Sequence, residues 1–243
     1  MRKSIVPAFL LCLLITGVAF AEPVAKITRI DGVASLLRKG AKDWRQIKPN
    51  TPLSIGDELY SEAETFIEIR YNSGAILRMD EKTKITIEES SEKTTKTRTG
   101  IGKIWVNMKK LTTHGTEFDV ATPTATAAIR GTIYQMSTDQ DSSTDVDVYD
   151  GKVAVGPSDQ LKKQIQKENP QGGVDQPQEV PGPEEIPGPY EVPLETWMTI
   201  VAGQRISVRN DGKFAQGAFD MDAAGNKFIA KNKELDKALM KSQ

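Results

Sequence analysis

Apolar residues recur at every second position between residues 24 and 155, in short runs broken by turn residues roughly every ten positions. That pattern confines most of the chain to strands. Ile67, Ile69 and Tyr71 point one way, Glu68 and Arg70 the other. Asn72-Ser73-Gly74 makes a turn, after which Ala75, Leu77 and Met79 share a face with Arg78 opposite. Ile85 and Ile87 repeat the alternation, as do Ile104, Val106 and Met108 against Lys103, Trp105 and Asn107. Short strands at this spacing build sandwiches, barrels or β-solenoids. Asp31-Gly32 and Asp150-Gly151 each separate two alternating runs, which predicts two tight hairpins. Residues 89–99, rich in Ser, Thr and Lys, predict an exposed loop.

The most specific stretch is residues 118–136, FDVATPTATAAIRGTIYQM. Phe118 and Val120 sit two apart, as do Tyr134 and Met136, so each end presents one apolar face. Between them, Pro123 has no N–H to donate and belongs at a strand edge or turn. Gly131 is where the chain can bend or another backbone can come close. Thr122, Pro123, Arg130, Gly131 and Thr132 are read as a structural signature that sets strand register. Arg130 lies among Ala, Ile, Gly and Thr, where an unpaired charge is costly. It is expected to tie neighbouring carbonyls or a carboxylate; anion recognition is the alternative.

Residues 1–21 read as a secretory leader. Arg2 and Lys3 precede an uncharged apolar run, and Ala19-Phe20-Ala21 gives a small-x-small cleavage pattern before Glu22. The apolar run is shorter than the roughly 20 residues of a membrane span. No transmembrane span is expected after cleavage, and the periplasm or cell envelope is the expected location. The one cysteine, Cys12, lies inside the leader, so no disulfide is expected. With 32 Lys+Arg against 33 Asp+Glu, the charge balance gives no case for nucleic acid.

The strand pattern ends near residue 156, closing a β domain over residues 24–156. Residues 157–193 then form a Pro/Gly-rich connector that opens with a short predicted helix over Ser158 to Glu168, with Ser158 as N-cap and Leu161 and Ile165 on one face. Residues 170–189 hold six of the 13 prolines, including two Pro-Gly-Pro repeats, which no helix or sheet ladder can continue. Residues 194–220 read as closing strands that rejoin the β domain, because a lone hairpin is marginal in water. Residues 221–243 read as a charged C-terminal helix and tail. Phe228, Leu235 and Leu239 make an apolar stripe that Asn232 interrupts.

The order of these signals resembles the FecR domain of bacterial periplasmic regulators. The resemblance runs from Lys26 to Val155. Ile55-Gly56-Asp57 with Leu59 and Ile67-Glu68-Ile69, and Ser73-Gly74 with Leu77 and Met79, carry part of it. Thr122-Pro123 followed by Arg130-Gly131-Thr132 is its most specific element, and Asp150-Gly151 between valine-rich strands completes it. Ala202-Gly203-Gln204-Arg205 with Ile206 and Val208 resembles the strand that closes such domains. The resemblance implies an all-β, solenoid-like or sandwich-like module without a known catalytic centre. Signalling members carry a cytoplasmic anti-sigma segment before a membrane span. Here only Met1 to Lys3 precede the apolar run, so a stand-alone exported protein is expected.

The inventory for catalysis is thin. His114 is the only histidine and lies in a polar loop; a Ser-His-Asp arrangement would need a serine and a carboxylate beside it. Zinc needs several His or Cys ligands. Asp139, Asp141, Asp145 and Asp147 alternate suggestively, but counted from Asp139 the sixth and twelfth positions of a calcium loop are Thr144 and Asp150 instead of glycine and glutamate. No enzyme activity and no cofactor are expected. The expected role is a protein-binding or scaffold module facing an envelope protein; a glycan- or cell-wall-binding module, stacking sugars on Trp44, Trp105 or Trp197, is the alternative. Trp105, out of phase with Ile104 and Val106, is either a surface aromatic at a contact or a residue covered by the C-terminal helix. If Arg130 is a structural tie, Arg130→Ala lowers the thermal midpoint before it weakens any binding. A variant that melts like wild type but loses its partner would overturn that order.

Overall fold

The computed structural model describes residues 22–91, 94–108, 117–129, 131–168, 190–191, 197–222 and 225–241. In chain order the first strands are β1 (Ala25–Asp31), β2 (Ala34–Leu37), β3 (Arg45–Gln46), β4 (Pro52–Leu53), β5 (Glu58–Ser61), β6 (Phe66–Tyr71) and β7 (Ile76–Met79). They are followed by β8 (Lys84–Ser90), β9 (Thr94–Thr99), β10 (Gly102–Asn107), β11 (Glu117–Ala121), β12 (Ala125–Ile129) and β13 (Ile133–Thr138). β14 (Thr144–Asp150), β15 (Lys152–Pro157) and helix α1 (Asp159–Glu168) come next, then β16 (Tyr190–Glu191), β17 (Met198–Val201), β18 (Gln204–Val208), β19 (Lys213–Ala218) and helix α2 (Lys227–Lys241).

Two sheets stack face to face. The first has ten strands in the order β16-β19-β18-β14-β13-β10-β7-β6-β1-β4; the second has nine, β17-β15-β12-β11-β9-β8-β5-β2-β3. Their inner faces share one apolar core. Ile67, Ile69, Leu77, Met79, Ile104, Val106, Tyr134 and Met136 come from the ten-stranded sheet, and Ile85, Ile87, Phe118 and Val120 from the other. The two ends of the stretch 118–136 therefore face each other across the core. The fold is all-β in its body and sandwich-like.

The chain changes sheets after every one or two strands, and this corrects the two predicted Asp-Gly hairpins. β1 and β2 lie in different sheets, as do β14 and β15, so each Asp-Gly is a corner between layers. Turn chemistry alone does not distinguish the two cases, because both need a left-handed residue. Gly32 (φ 115°), Gly102 (φ 127°) and Gly151 (φ 83°) all supply one. Each also stacks on a threonine of an adjacent corner. A Cβ on Gly102 would lie 2.7 Å from the Thr83 Cα, one on Gly32 2.8 Å from the Thr65 Cα, and one on Gly151 3.3 Å from the Thr132 Cα. The threonine hydroxyl then holds the residue after the glycine. Val33 N–H donates to Thr65 Oγ1 at 2.9 Å and Lys103 N–H to Thr83 Oγ1 at 3.0 Å, while Thr132 Oγ1 donates to the Lys152 carbonyl at 2.8 Å. This repeated corner gives the sandwich its solenoid-like course.

The predicted loop over residues 89–99 is also corrected: most of it is strand. Thr95, Thr97 and Thr99 of β9 face the core and are buried. Threonine is β-branched and fits a pleated surface, and Thr97 Oγ1 pairs with the Tyr71 hydroxyl at 2.8 Å. The closing strands rejoin the body, β17 pairing with β15 and β18 with β14. Ser158 precedes α1 and caps it, its Oγ accepting from Leu161 N–H at 3.1 Å, and Leu161 is buried. The leader, most of the connector, His114 and Arg130 lie outside the described residues.

Gly40 (φ 78°) also needs a left-handed backbone, but a Cβ there meets nothing. Gly102→Ala is therefore expected to lower the thermal midpoint by roughly 5 °C or more beyond Gly40→Ala, as overpacking against Thr83 adds about 1–3 kcal/mol. Equal melting of the two variants would argue against the stacked corners.

Candidate functional site

The two sheets have outer faces of opposite character. On the ten-stranded sheet, strand register lines up one row of polar side chains across the face. Arg29 lies opposite Glu68, Glu68 opposite Arg78, Arg78 opposite Trp105, Trp105 opposite Gln135, Gln135 opposite Asp147, and Asp147 opposite Arg205. Alternation alone would send this row into water. Instead α2 lies over its middle, and Phe66, Trp105, Ile133, Tyr149, Phe228 and Ile229 form a second apolar cluster beneath the helix. Trp105 stacks on Tyr149 with ring centroids 4.4 Å apart.

Arg78 is wholly buried there. Its Nε donates to Glu68 Oε2 at 2.8 Å and its Nη1 to Asp236 Oδ1 at 2.6 Å. The second oxygen of Asp236 accepts from Trp105 Nε1 at 2.9 Å. Asn232 turns inward as well, its Nδ2 donating to the Phe228 carbonyl at 2.8 Å. The helix is capped by Asn226, whose Oδ1 accepts from Phe228 N–H at 3.1 Å and Ile229 N–H at 3.2 Å. This corrects the stripe expected from the sequence. The buried residues of α2 are Phe228, Ile229, Asn232 and Asp236; Leu235 is half-buried. It also fixes Trp105, which lies beneath α2 and offers no surface for a partner. Arg78 Nη2, Gln135 Oε1 and the Tyr149 hydroxyl are buried without hydrogen-bond partners among the described residues.

Thr122, Pro123, Gly131 and Thr132 of the signature lie at turns and corners. Thr122 shapes the β11–β12 turn. Its Oγ1 accepts from Ala125 N–H at 2.8 Å and pairs with Thr144 Oγ1 at 2.8 Å. The Pro123 carbonyl accepts from Ser158 Oγ, which ties the turn to the start of α1. Gly131 (φ 68°) and Thr132 form the corner from β12 to β13. Of the aspartates weighed as calcium ligands, Asp141, Asp145 and Asp147 are engaged elsewhere. Asp141 holds Ser143, and Asp147, in β14, accepts from Arg205 Nη2 at 2.7 Å. Among the described residues no group of three or more His, Cys, Asp or Glu could hold a metal. A cleft of about 700 Å³ runs beside the start of α2, lined by Asp31, Asp80, Lys103 and Lys231 among others. Part of its charge is spent internally, Lys231 pairing with Asp31 at 2.8 Å.

No described element covers the outer face of the nine-stranded sheet as α2 covers its counterpart. On the β5–β8–β9 side it is charged and self-paired: Arg98 and Lys96 meet Glu88, and Lys84 meets Glu58. On the β12–β15–β17 side it carries Thr126, Ala128, Ala154 and Thr199. Asp119 sits at the boundary, opposite Ala128 on one side and Lys96 on the other. Its Oδ1 is buried without a hydrogen-bond partner among the described residues. Burial, aided by the negative charge of Glu117, pushes its carboxyl above the usual value. Sequence reading missed both Asp119 and the Arg78 cluster.

The family model described as FecR protein matches residues 57–154. No curated protein matches the chain. Two crystal structures of a "putative anti-sigma factor" from Parabacteroides distasonis align at 16% identity with a TM-score of 0.47. Each alignment takes in 68% of this chain and 61% of that one. The family match begins later than the resemblance read from Lys26. Even so, β1 and β2 pair with β6 and β5 of the matched segment.

Removing Asp236 would leave the Arg78 guanidinium and the Trp105 N–H short of an acceptor. Asp236→Ala is expected to cost about 3–5 kcal/mol and to red-shift tryptophan emission as the helix loosens. Burial opposes the charge on Glu68, but its hydrogen bonds from Arg78 and Thr28 outweigh this and hold its carboxyl below the usual 4.5. A lowered folded value means stability that is present above pH 4.5 and is lost as pH falls through the folded value. Glu68→Gln should flatten that acid limb; an unchanged limb would remove Glu68 from the account.

Proposed function

We propose, from the premise that residues 57–154 form a FecR domain, that this is an exported, non-enzymatic module that holds a protein partner on the outer face of its nine-stranded sheet. The observation that carries the reading is Asp119. A half-buried carboxylate with an unpaired oxygen costs the free protein stability where it stands. A donor brought by a partner would satisfy it. The leader-like residues 1–21 support export to the periplasm or envelope, and the thin catalytic inventory supports a binding role.

The glycan reading draws less support. With Trp105 covered, only Trp44 and Trp197 remain exposed, at 41% and 47%. They adjoin β3 and β17, the two ends of the nine-strand order. At ~4.8 Å per strand that separates them by roughly 40 Å, too far to stack on one short sugar chain.

Asp119→Asn separates stability from binding. A raised folded value makes the ionised group unfavourable at neutral pH. The variant should therefore melt higher than wild type at pH 7. The gain should fade as pH falls and the wild-type carboxyl takes up its proton. A photo-crosslinker at Thr126 in intact cells should trap an envelope protein in wild type and lose it in Asp119→Asn, while one at Lys237 on α2 traps none. Equal trapping by both proteins, or from both positions, would defeat the proposal.

A further inference from the structure

Two stacked open sheets have four edges, and three are closed off. β16 and β4 end the ten-stranded sheet and β3 ends the nine-stranded sheet at one side; each is two residues long. β4 begins with Pro52 and β3 with Arg45. Short length, proline and charge are the usual guards of an edge. Among the described residues the fourth edge, β17, has none of them. It is four residues long, pairs with β15 without a register shift, and lies in residues 197–203, which carry no charge. Trp197 and Val201, each 47% exposed, stand on its outer face with Thr199 between them.

The hydrogen-bond phase of β17 is fixed by its neighbours. Ala202 N–H donates to the Gly151 carbonyl, so that pair exchanges bonds with the β15 side. Alternation then makes Val201, Thr199 and Trp197 the residues whose peptide groups point away from β15. Val201 N–H agrees, being taken by the Gln204 side chain at 3.0 Å. Thr199 N–H, two residues earlier on the strand, points the same way.

We propose that this edge pairs with the same edge of a second copy of the chain, antiparallel, about a two-fold axis through Thr199. That register places Thr199 opposite Thr199 as a bond-exchanging pair, using the peptide groups that point outward. It sets Trp197 of each copy opposite Val201 of the other, an aromatic against a β-branched residue, a favoured cross-strand pair. Met198 and Ile200 oppose each other on the inner side. A register centred one residue either way loses the Trp197–Val201 pairing. The strand is thus complementary to itself, and an isologous contact closes on a dimer without leaving an open edge to propagate. The contact is small, so the dimer is weak, with a Kd on the order of 10 μM. It uses the sheet edge and does not rest on the partner reading of Asp119.

Sedimentation of the purified protein, made with its own N-terminus so that processing is natural, should give mostly dimer at about 100 μM and monomer on dilution. Val201→Lys places a charge on an exposed position, and Thr199→Pro removes an outward N–H without touching the β15 ladder. Both should be monomeric with unchanged circular dichroism. In a Cys12→Ser background, Thr199→Cys should oxidise to a linked dimer, since opposed Cα atoms lie about 5.5 Å apart. Thr126→Cys, on the same face two strands further in, should not. A protein monomeric at every concentration would overturn the proposal, even if another protein's strand took the edge. So would a dimer that survives both substitutions, or equal linkage at the two cysteine positions.

Discussion

Three threonine hydroxyls, on Thr65, Thr83 and Thr132, each bond the residue after a left-handed glycine, and the stacking of the two sheets depends on those contacts. A chain that alternates between layers must reverse direction and change layer in two or three residues. Glycine allows the dihedral angles, and its missing Cβ lets the neighbouring corner come within van der Waals contact. The threonine then supplies a partner for a backbone group that neither ladder reaches. Each corner is local, but it fixes which strand of one sheet sits above which strand of the other. Across the core between the sheets, Phe118 of β11 and Tyr71 of β6 meet edge-to-face at 5.0 Å.

The outer row of the ten-stranded sheet shows a second constraint. Arg78 could sit in water at modest cost; under α2 its charge must be matched. Glu68 supplies one match from the adjacent strand, and Asp236 supplies the other from a helix that is 158 residues away in sequence. The helix is held by Phe228 and Ile229 through area, and by Asp236 through charge, and the second fixes its rotation and register. A helix with a wholly apolar face could slide along the sheet. One that must place Asp236 between Arg78 and Trp105 has a single seat.

How much of this was legible follows from what alternation encodes. Period two tells which residues share a face, and it identified Ile67, Leu77, Val106 and Met136 as inward. It carries no information about which sheet a strand joins, so Asp31-Gly32 and Asp150-Gly151 read as hairpins when they are corners. It says nothing about what covers the second face, so Arg78 read as outward when α2 lies over it, and Trp105 stayed open between a surface contact and cover by the C-terminal helix. Polar composition misled at Thr95, Thr97 and Thr99, which are buried in β9. Ser158 as a helix cap, by contrast, was legible, because capping is local chemistry. Asp119 was not, since the lack of a partner is a property of three dimensions.

Arg78 and Asp119 together describe a division of labour between the two outer faces. Both are charged residues on alternating strands, directed away from the core. The chain spends its C-terminal helix on satisfying Arg78, and it leaves an oxygen of Asp119 unpaired where Lys96 is the nearest compensating charge. A neutral residue at position 119 would serve the free fold better, because burial disfavours the charged form. The stability of the isolated domain therefore gives no reason for the aspartate. A charge that weakens the free protein calls for a state in which it is paired, and that is the physical ground on which the proposed partner on this face rests.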